Sequence, residues 1–175
     1  HIGHLMANAI GESISRLVEY SGAKVVRICY PSDIGLHIAK AVWGMKKSLD
    51  LLPAEDSPIA SRTDFLGRCY VLGTEKYEGD EGAKKEIDSI NKDLFGGVKG
   101  EIWNLYEKGR RWSLEHFEEL YQKLGTKFDK QIFESEAGPR GLLIVKDFLK
   151  KGVFETSDGA IIFPGEKYGL HTRVF

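Results

Sequence analysis

His1-Ile2-Gly3-His4 opens the stretch HIGHLMANAIGESISRLVEYSGAKVVRICYPSDIG (residues 1–35), and the order of signals in that stretch decides the fold. The apolar-periodic run from Leu5 to Tyr20 reads as an amphipathic helix, with the His-x-x-His pair at its entrance. Gly22 is a helix stop, Lys24 to Tyr30 is a β-branched strand, and Pro31, Ser32 and Asp33 make a turn. The first free backbone N–H groups of a helix and the positive end of its dipole favour an anion. Two imidazoles at that end add directed donors, and Gly3 lets a flat base approach the backbone. This is phosphate and nucleotide chemistry rather than metal chemistry. A zinc protease helix needs Glu directly after the first His, where this chain has Ile2, and a wider spacing between ligands. Isolated His-x-x-His spacings are common, and it is the helix-then-strand context, half of a nucleotide-binding βαβ unit, that gives this one its weight.

Working outward, the rest of the chain falls into three stretches. The first, His1 to about Gly44, ends in a second helix that begins near Asp33, with Ile34, Ile38, Ala41 and Val42 on its inner face. The turn PAEDSP (53–58) leads into a helix-rich insert over 53–125. In that insert Arg62–Tyr77, Gly82–Leu94, Lys99–Lys108 and Ser113–Leu124 read as helices, the last opened by half a capping box at Ser113 with Glu115 and Glu118 suiting its start. The charge run EKYEGDEGAKKEIDSINK (75–92) reads as a solvated face and loop. The third stretch has a strand over Lys127–Phe133, a helix over Arg140–Lys151, a hairpin across Ser157-Asp158-Gly159 and a final strand over Leu170–Phe175. The fold class is α/β: a partial Rossmann-like parallel sheet with a helix-rich insertion and a β-hairpin.

Composition narrows the function classes. With 175 residues, 42% of them hydrophobic, the chain can bury one sizeable core. Its 25 Lys and Arg nearly balance 26 Asp and Glu, so charge alone leaves no nucleic-acid footprint. Cys29 and Cys69 lack CxxC spacing, which argues against a disulfide scaffold or structural zinc; Cys29 reads as a buried filler. No apolar run reaches the ~18 residues of a membrane span. Trp43, Trp103, Trp112, Tyr106, Phe117 and Tyr121 read as core aromatics on helix faces, and His37, His116 and His171 as structural or solvent-exposed. Arg110 and Arg111 read as a solvated pair more readily than as a contact to RNA.

The 1–35 stretch resembles the signature region of class I aminoacyl-tRNA synthetases, most closely the arginyl-tRNA synthetase family. The correspondences are His1 to Leu5, Ile10-Gly11-Glu12, Ser15-Arg16-Leu17, Gly22, Val25-Val26-Arg27 and Asp33-Ile34-Gly35. Ile34 stands where the family usually has Trp, and His37 where Gln often follows. Further on, GTKFDKQIFESE (125–136) is similar to the family's strand ending in Glu-Ser, and GVFETSDGAIIF (152–163) resembles its Ser-Asp-Gly hairpin.

The resemblance implies an ATP-dependent ligase that joins arginine to tRNA(Arg) through an arginyl-adenylate. ATP is then a substrate accompanied by Mg2+, and no metal site is expected on the protein. His1 and His4 become the catalytic donors to phosphate oxygens, and His1, Gly3 and His4 together bind ATP. Glu134 becomes a candidate for the arginine guanidinium, its bland alternative being a cap on the following turn. Asp33 and Gly35 would lie on the same sheet edge, Asp33 more simply as the N-cap of the next helix. The implied partners are tRNA(Arg), arginine and ATP, with no membrane and with a monomeric full-length enzyme in the cytoplasm.

The resemblance also implies a longer protein, with a strand before His1 and, after Phe175, a Lys-Met-Ser-Lys-Ser-like loop, arginine-pocket residues and an anticodon-binding domain. Residues 1–175 alone are then a partial catalytic domain, expected to be marginally stable and inactive. Two alternatives stay open: another class I synthetase or an H-x-G-H nucleotidylyltransferase, and a degenerate non-catalytic paralogue, which Ile34 and His37 keep alive.

Overall fold

A computed structural model describes residues 2–175 and resolves them into two compact units, 2–132 and 133–175. The first begins with helix α1 (Ile2–Tyr20). Gly22 ends it as expected: its φ is 90°, and the Ala23 N–H reaches back to the Val18 carbonyl in the Schellman pattern. Strand β1 (Ile28–Cys29) follows, then helix α2 (Leu36–Lys47). After a short 3-10 turn at Leu49–Leu51 come α3 (Ile59–Gly79), α4 (Glu81–Phe95) and α5 (Glu101–Leu124), and strand β2 (Lys130–Gln131) closes the unit. β2 runs parallel to β1, pairing Ile28 with Lys130 and Cys29 with Gln131.

The core lies among α2, α3, α4 and α5. Trp112, Phe65, Met45, Ile87 and Leu94 are its largest fully buried side chains. α2 lies against the other three helices, and two glycines set its approach to α3. A Cβ at Gly44 would stand 2.2 Å from the Cys69 carbonyl oxygen, and one at Gly73 2.2 Å from that of Lys40. Trp43 and Trp112 are core residues as the sequence suggests, as is Tyr106, whereas Trp103 and Tyr121 are half-buried and Phe117 is exposed.

The second unit has helix α6 (Glu134–Lys150) and an antiparallel sheet of β3 (Glu155–Ser157), β4 (Ala160–Phe163) and β5 (Arg173–Val174), in that order. Asp158 and Gly159, at φ 49° and 80°, make the two-residue turn that the Ser-Asp-Gly signal announces. Phe154 joins Phe148, Phe163 and Phe175 in an aromatic cluster with centroid separations of 4.8 to 6.3 Å.

Several elements differ from their sequence reading. The strands read over 24–30, 127–133 and 170–175 are each two residues long, because a strand lasts only as long as its ladder. The helices read at 99–108 and 113–124 are one continuous α5. Gly109 is tolerated in its middle because the missing side chain admits Met45 and Leu66, whose atoms would stand 3.3 and 3.4 Å from a Cβ there. Ser113 is therefore mid-helix and caps nothing. The 75–92 charge run is not a loop: it is the end of α3 and most of α4, joined at Asp80, whose carboxylate accepts from the Gly82 and Ala83 N–H groups as an N-cap. Helix α6 starts six residues before Arg140. Glu134 and Glu136 suit its positive end, and Pro139, in its second turn, lacks the N–H that would donate to the Ser135 carbonyl. Cys29 is only half-buried, with its Sγ 3.6 Å from the Tyr121 hydroxyl.

Candidate functional site

The residues singled out in the sequence are distributed over both units. His1 lies outside the described residues. Gly3, half-buried, and His4, exposed, occupy the first turn of α1, the end at which free N–H groups and the helix dipole favour an anion. The helix forms as its periodicity predicts, yet none of its residues is buried, and Ile2, Met6 and Leu17 are each more than 60% exposed.

Polar contacts hold α1 to the strands. Asn8 donates to the Thr126 hydroxyl at 2.8 Å, and Arg16 Nη2 donates to the Gly125 carbonyl at 2.9 Å. Gly125 ends α5 in the left-handed conformation, at φ 68°, which turns that carbonyl free of the helix. Arg27, just before β1, places Nε 3.0 Å from Glu12 and Nη1 2.7 Å from Glu19. Glu12 lies also 2.7 Å from Arg16 Nε. The hydrogen bond from Arg16, and then that from Arg27, hold Glu12 below the usual carboxylate range, and Arg27 does the same to Glu19.

Gly35 and Asp33 sit in the turn between β1 and α2. Gly35, not Asp33, is the N-cap of α2: its φ of 123° excludes most other residues, and its carbonyl accepts from the Ile38 and Ala39 N–H groups at 3.0 Å. Asp33 is buried and cannot serve the helix start. Its Oδ2 accepts from Arg110 Nε at 2.9 Å and from the Tyr106 hydroxyl at 3.3 Å. The arginine pair of α5 is accordingly not a solvated face. Arg110 ties α5 to this turn, while Arg111 and Lys108 both lie 2.6 Å from Glu55 in the 53–58 loop. A cavity of about 260 Å3 opens beside Asp33, with His37, Val42, Met45, Leu66, Arg110 and Phe117 among its walls.

Ile34 is buried in the core, and His37 is exposed with Nε2 3.3 Å from the Ser32 carbonyl. The two departures from the family pattern are thus absorbed by packing and by the turn itself. Glu134 belongs to the second unit. It is half-buried in the first turn of α6 rather than at the end of a strand. Among the described residues no three His, Cys, Asp or Glu side chains gather into a metal-holding group. Among the same residues no helix is long and apolar enough to cross a membrane.

Sequence reading missed the Asp33–Arg110 pair and the Arg27 lattice. The second has a sequence trace: Asn8, Glu12 and Arg16 recur at helical spacing, which puts them in one row. The first has none, because it joins positions 77 residues apart.

Helix α1, a parallel pair of strands and a glycine turn before α2 define a piece of an α/β fold. Residues 1–174 match the family described as tRNA synthetases class I (R), catalytic domain, and the chain belongs to that family. It is 32% identical over 167 residues to an arginine–tRNA ligase of Bdellovibrio bacteriovorus, covering 92% of this chain and 28% of that protein. It is 35% identical to the arginine–tRNA ligase of Treponema denticola, covering 92% and 28%. The crystal structure of arginyl-tRNA synthetase from Plasmodium falciparum superimposes with a TM-score of 0.70 over 100% of this chain and 28% of that one, at 22% identity, a likeness of fold. The chain spans about 28% of the length of these relatives.

Proposed function

We propose that the protein carrying this chain ligates arginine to tRNA(Arg) at the expense of ATP. The observation that carries the reading is the family match over 1–174 in a chain whose sequence opens on His1-Ile2-Gly3-His4. Arginine–tRNA ligase relatives at 32% and 35% identity support arginine over other amino acids, and disfavour another class I synthetase or a nucleotidylyltransferase.

The chemistry follows from the family to which the chain belongs. The arginine carboxylate attacks the α-phosphorus of ATP and pyrophosphate leaves; a terminal ribose hydroxyl of tRNA then attacks the arginyl carbonyl of the adenylate and AMP leaves. A carboxylate needs no deprotonation, so catalysis consists of alignment and of stabilising charge on the phosphate oxygens. His1 and His4 donate to those oxygens, Gly3 leaves room for the adenine, and the start of α1 adds its N–H groups and dipole. ATP arrives with Mg2+ bound to its phosphates, as substrate. Glu134 is assigned to the arginine guanidinium, whose fork matches a carboxylate bidentately. Asp33 and Gly35 shape the substrate side of the turn after β1: Gly35 through its backbone conformation, Asp33 by anchoring the turn to α5. Residues 53–125 are read as an insert within a catalytic domain that includes 1–175. The enzyme is read as a cytoplasmic monomer.

The test is amino-acid-dependent ATP–pyrophosphate exchange by the full-length protein with tRNA present. Exchange with arginine and not with cysteine or leucine supports the reading; exchange with none of them replaces it by the degenerate paralogue.

A further inference from the structure

We propose that Arg27 is a positioning residue that sets the rotation of α1 about its axis, and with it the aim of His4. The inference rests on the ligase reading above.

Hydrophobic burial does not fix α1, since none of its residues is buried. Its attachments form one row. His4, Asn8, Glu12 and Arg16 follow one another at four-residue steps, so each is the surface neighbour of the next, and Glu19 extends the row at a three-residue step. Every member after His4 is tied to the residue entering β1 or to the segment leading to β2: Asn8 to Thr126, Glu12 and Glu19 to Arg27, Arg16 to Gly125. A helix clamped along one row cannot roll without breaking those contacts together. His4 is the next residue along the clamped row, so its azimuth is set by the row.

Arg27 is the hub because it grips both sides. Its N–H donates to Asp129 Oδ2 at 2.8 Å, and its carbonyl accepts from the Asp129 and Lys130 N–H groups at 2.9 and 3.2 Å. Its backbone is thus fastened to the start of β2 while its guanidinium holds two carboxylates of one row, about two helical turns apart. Four hydrogen bonds from that guanidinium, to Glu12 at 3.0 and 3.4 Å and to Glu19 at 2.7 and 2.9 Å, use its planar fork in a way a lysine cannot reproduce. Glu12 is also gripped by Arg16, so removing Arg27 loosens the helix without freeing it altogether.

Misplacing a catalytic group by ~1 Å costs about 100-fold in rate. In the full-length protein, Arg27→Ala should lower kcat for arginine-dependent pyrophosphate exchange by about 100-fold, with KM for ATP and arginine within about threefold. Arg27→Lys should recover only part of kcat. Glu12→Gln, which keeps the side-chain shape, should lower kcat in the same way and serves if Arg27→Ala fails to fold. Amide hydrogen exchange should quicken over residues 2–20 in both variants and stay unchanged over α3 to α5. Wild-type kcat per active site in Glu12→Gln or Arg27→Ala, or unchanged exchange over residues 2–20, overturns the proposal. The hydrogen-exchange arm separates the two readings: a wild-type protein that activates no amino acid sinks the ligase assignment, while the clamp is still decided by the protection of α1.

Discussion

Arg110 places its Nε 2.9 Å from Oδ2 of Asp33, a carboxylate only 4% exposed, and so joins α5 to the turn that follows β1. The pair ties the turn after β1 to a helix of the 53–125 stretch, 77 residues further along the chain. Tyr106, one turn before Arg110 on α5, donates its hydroxyl to the same oxygen at 3.3 Å.

Asp33→Asn keeps the shape and removes the charge that the guanidinium and phenol were placed to meet. Partial exposure of Arg110 lets water relieve some of the loss, so the variant should be destabilised by about 1–3 kcal/mol. Denaturant unfolding of the wild type, Asp33→Asn, Arg110→Met and the double variant checks it. A coupling of at least ~1 kcal/mol is expected, and additive single effects would remove the pair from the account.

The Gly44 and Gly73 contacts make a prediction of opposite sign to helix propensity. Alanine in a helix interior ordinarily gains about 0.5–1 kcal/mol over glycine. At Gly67, where nothing lies within 4 Å of a Cβ, that gain should appear. At Gly44 the Cβ meets backbone at 2.2 Å, α2 and α3 must separate, and Gly44→Ala should lose at least about 1–3 kcal/mol. Denaturation midpoints of the two variants should move in opposite directions.

Glu55 gives a pH signature. Its hydrogen bonds to Lys108 first, then to Trp112 and Arg111, lower its carboxyl pKa from 4.5 to about 2. A group whose folded pKa is depressed contributes stability above its unfolded pKa and loses it as pH falls through the folded one. Stability should therefore decline between about pH 4.5 and about pH 2, and Glu55→Gln should flatten the decline in that window. Thermal melts across the window, compared between the two proteins, decide it.

Cys69 is buried against α2, and burial pushes its thiol pKa up to about 11. Thiolate is the reactive form, so alkylation of Cys69 at pH 8 should wait for unfolding. Rapid labelling of the native protein would contradict the packing described for α2 and α3.

How far these features could be read from sequence depends on their range. Gly22 as a helix stop, the Asp158-Gly159 turn and the burial of Trp43 and Trp112 rest on local conformation or helical period, and each is legible. Gly109 looks like a break between two helices because propensity is local, and only the facing Met45 and Leu66 explain why the helix continues. Asp33 looks like an N-cap because Asp before a helix usually is one; its partner lies on α5, which no nearby residue announces. Helix α1 and the strand after it are legible because period and helix stop lie within 35 residues; the phosphate role of His1 and His4 is the proposal made above. Glu134 reads as a strand end because the family resemblance puts Glu-Ser there; the helix start it occupies is marked locally only by its acidic first turn.

The central claim is tested most directly by charging tRNA(Arg) with labelled arginine, using the full-length protein and its His4→Ala variant at saturating ATP. The account predicts arginyl-tRNA formation by the wild type and a fall of about 10²–10³-fold in kcat for His4→Ala, the size of losing one transition-state donor. Equal turnover by the two proteins, or charging with a different amino acid, would contradict it.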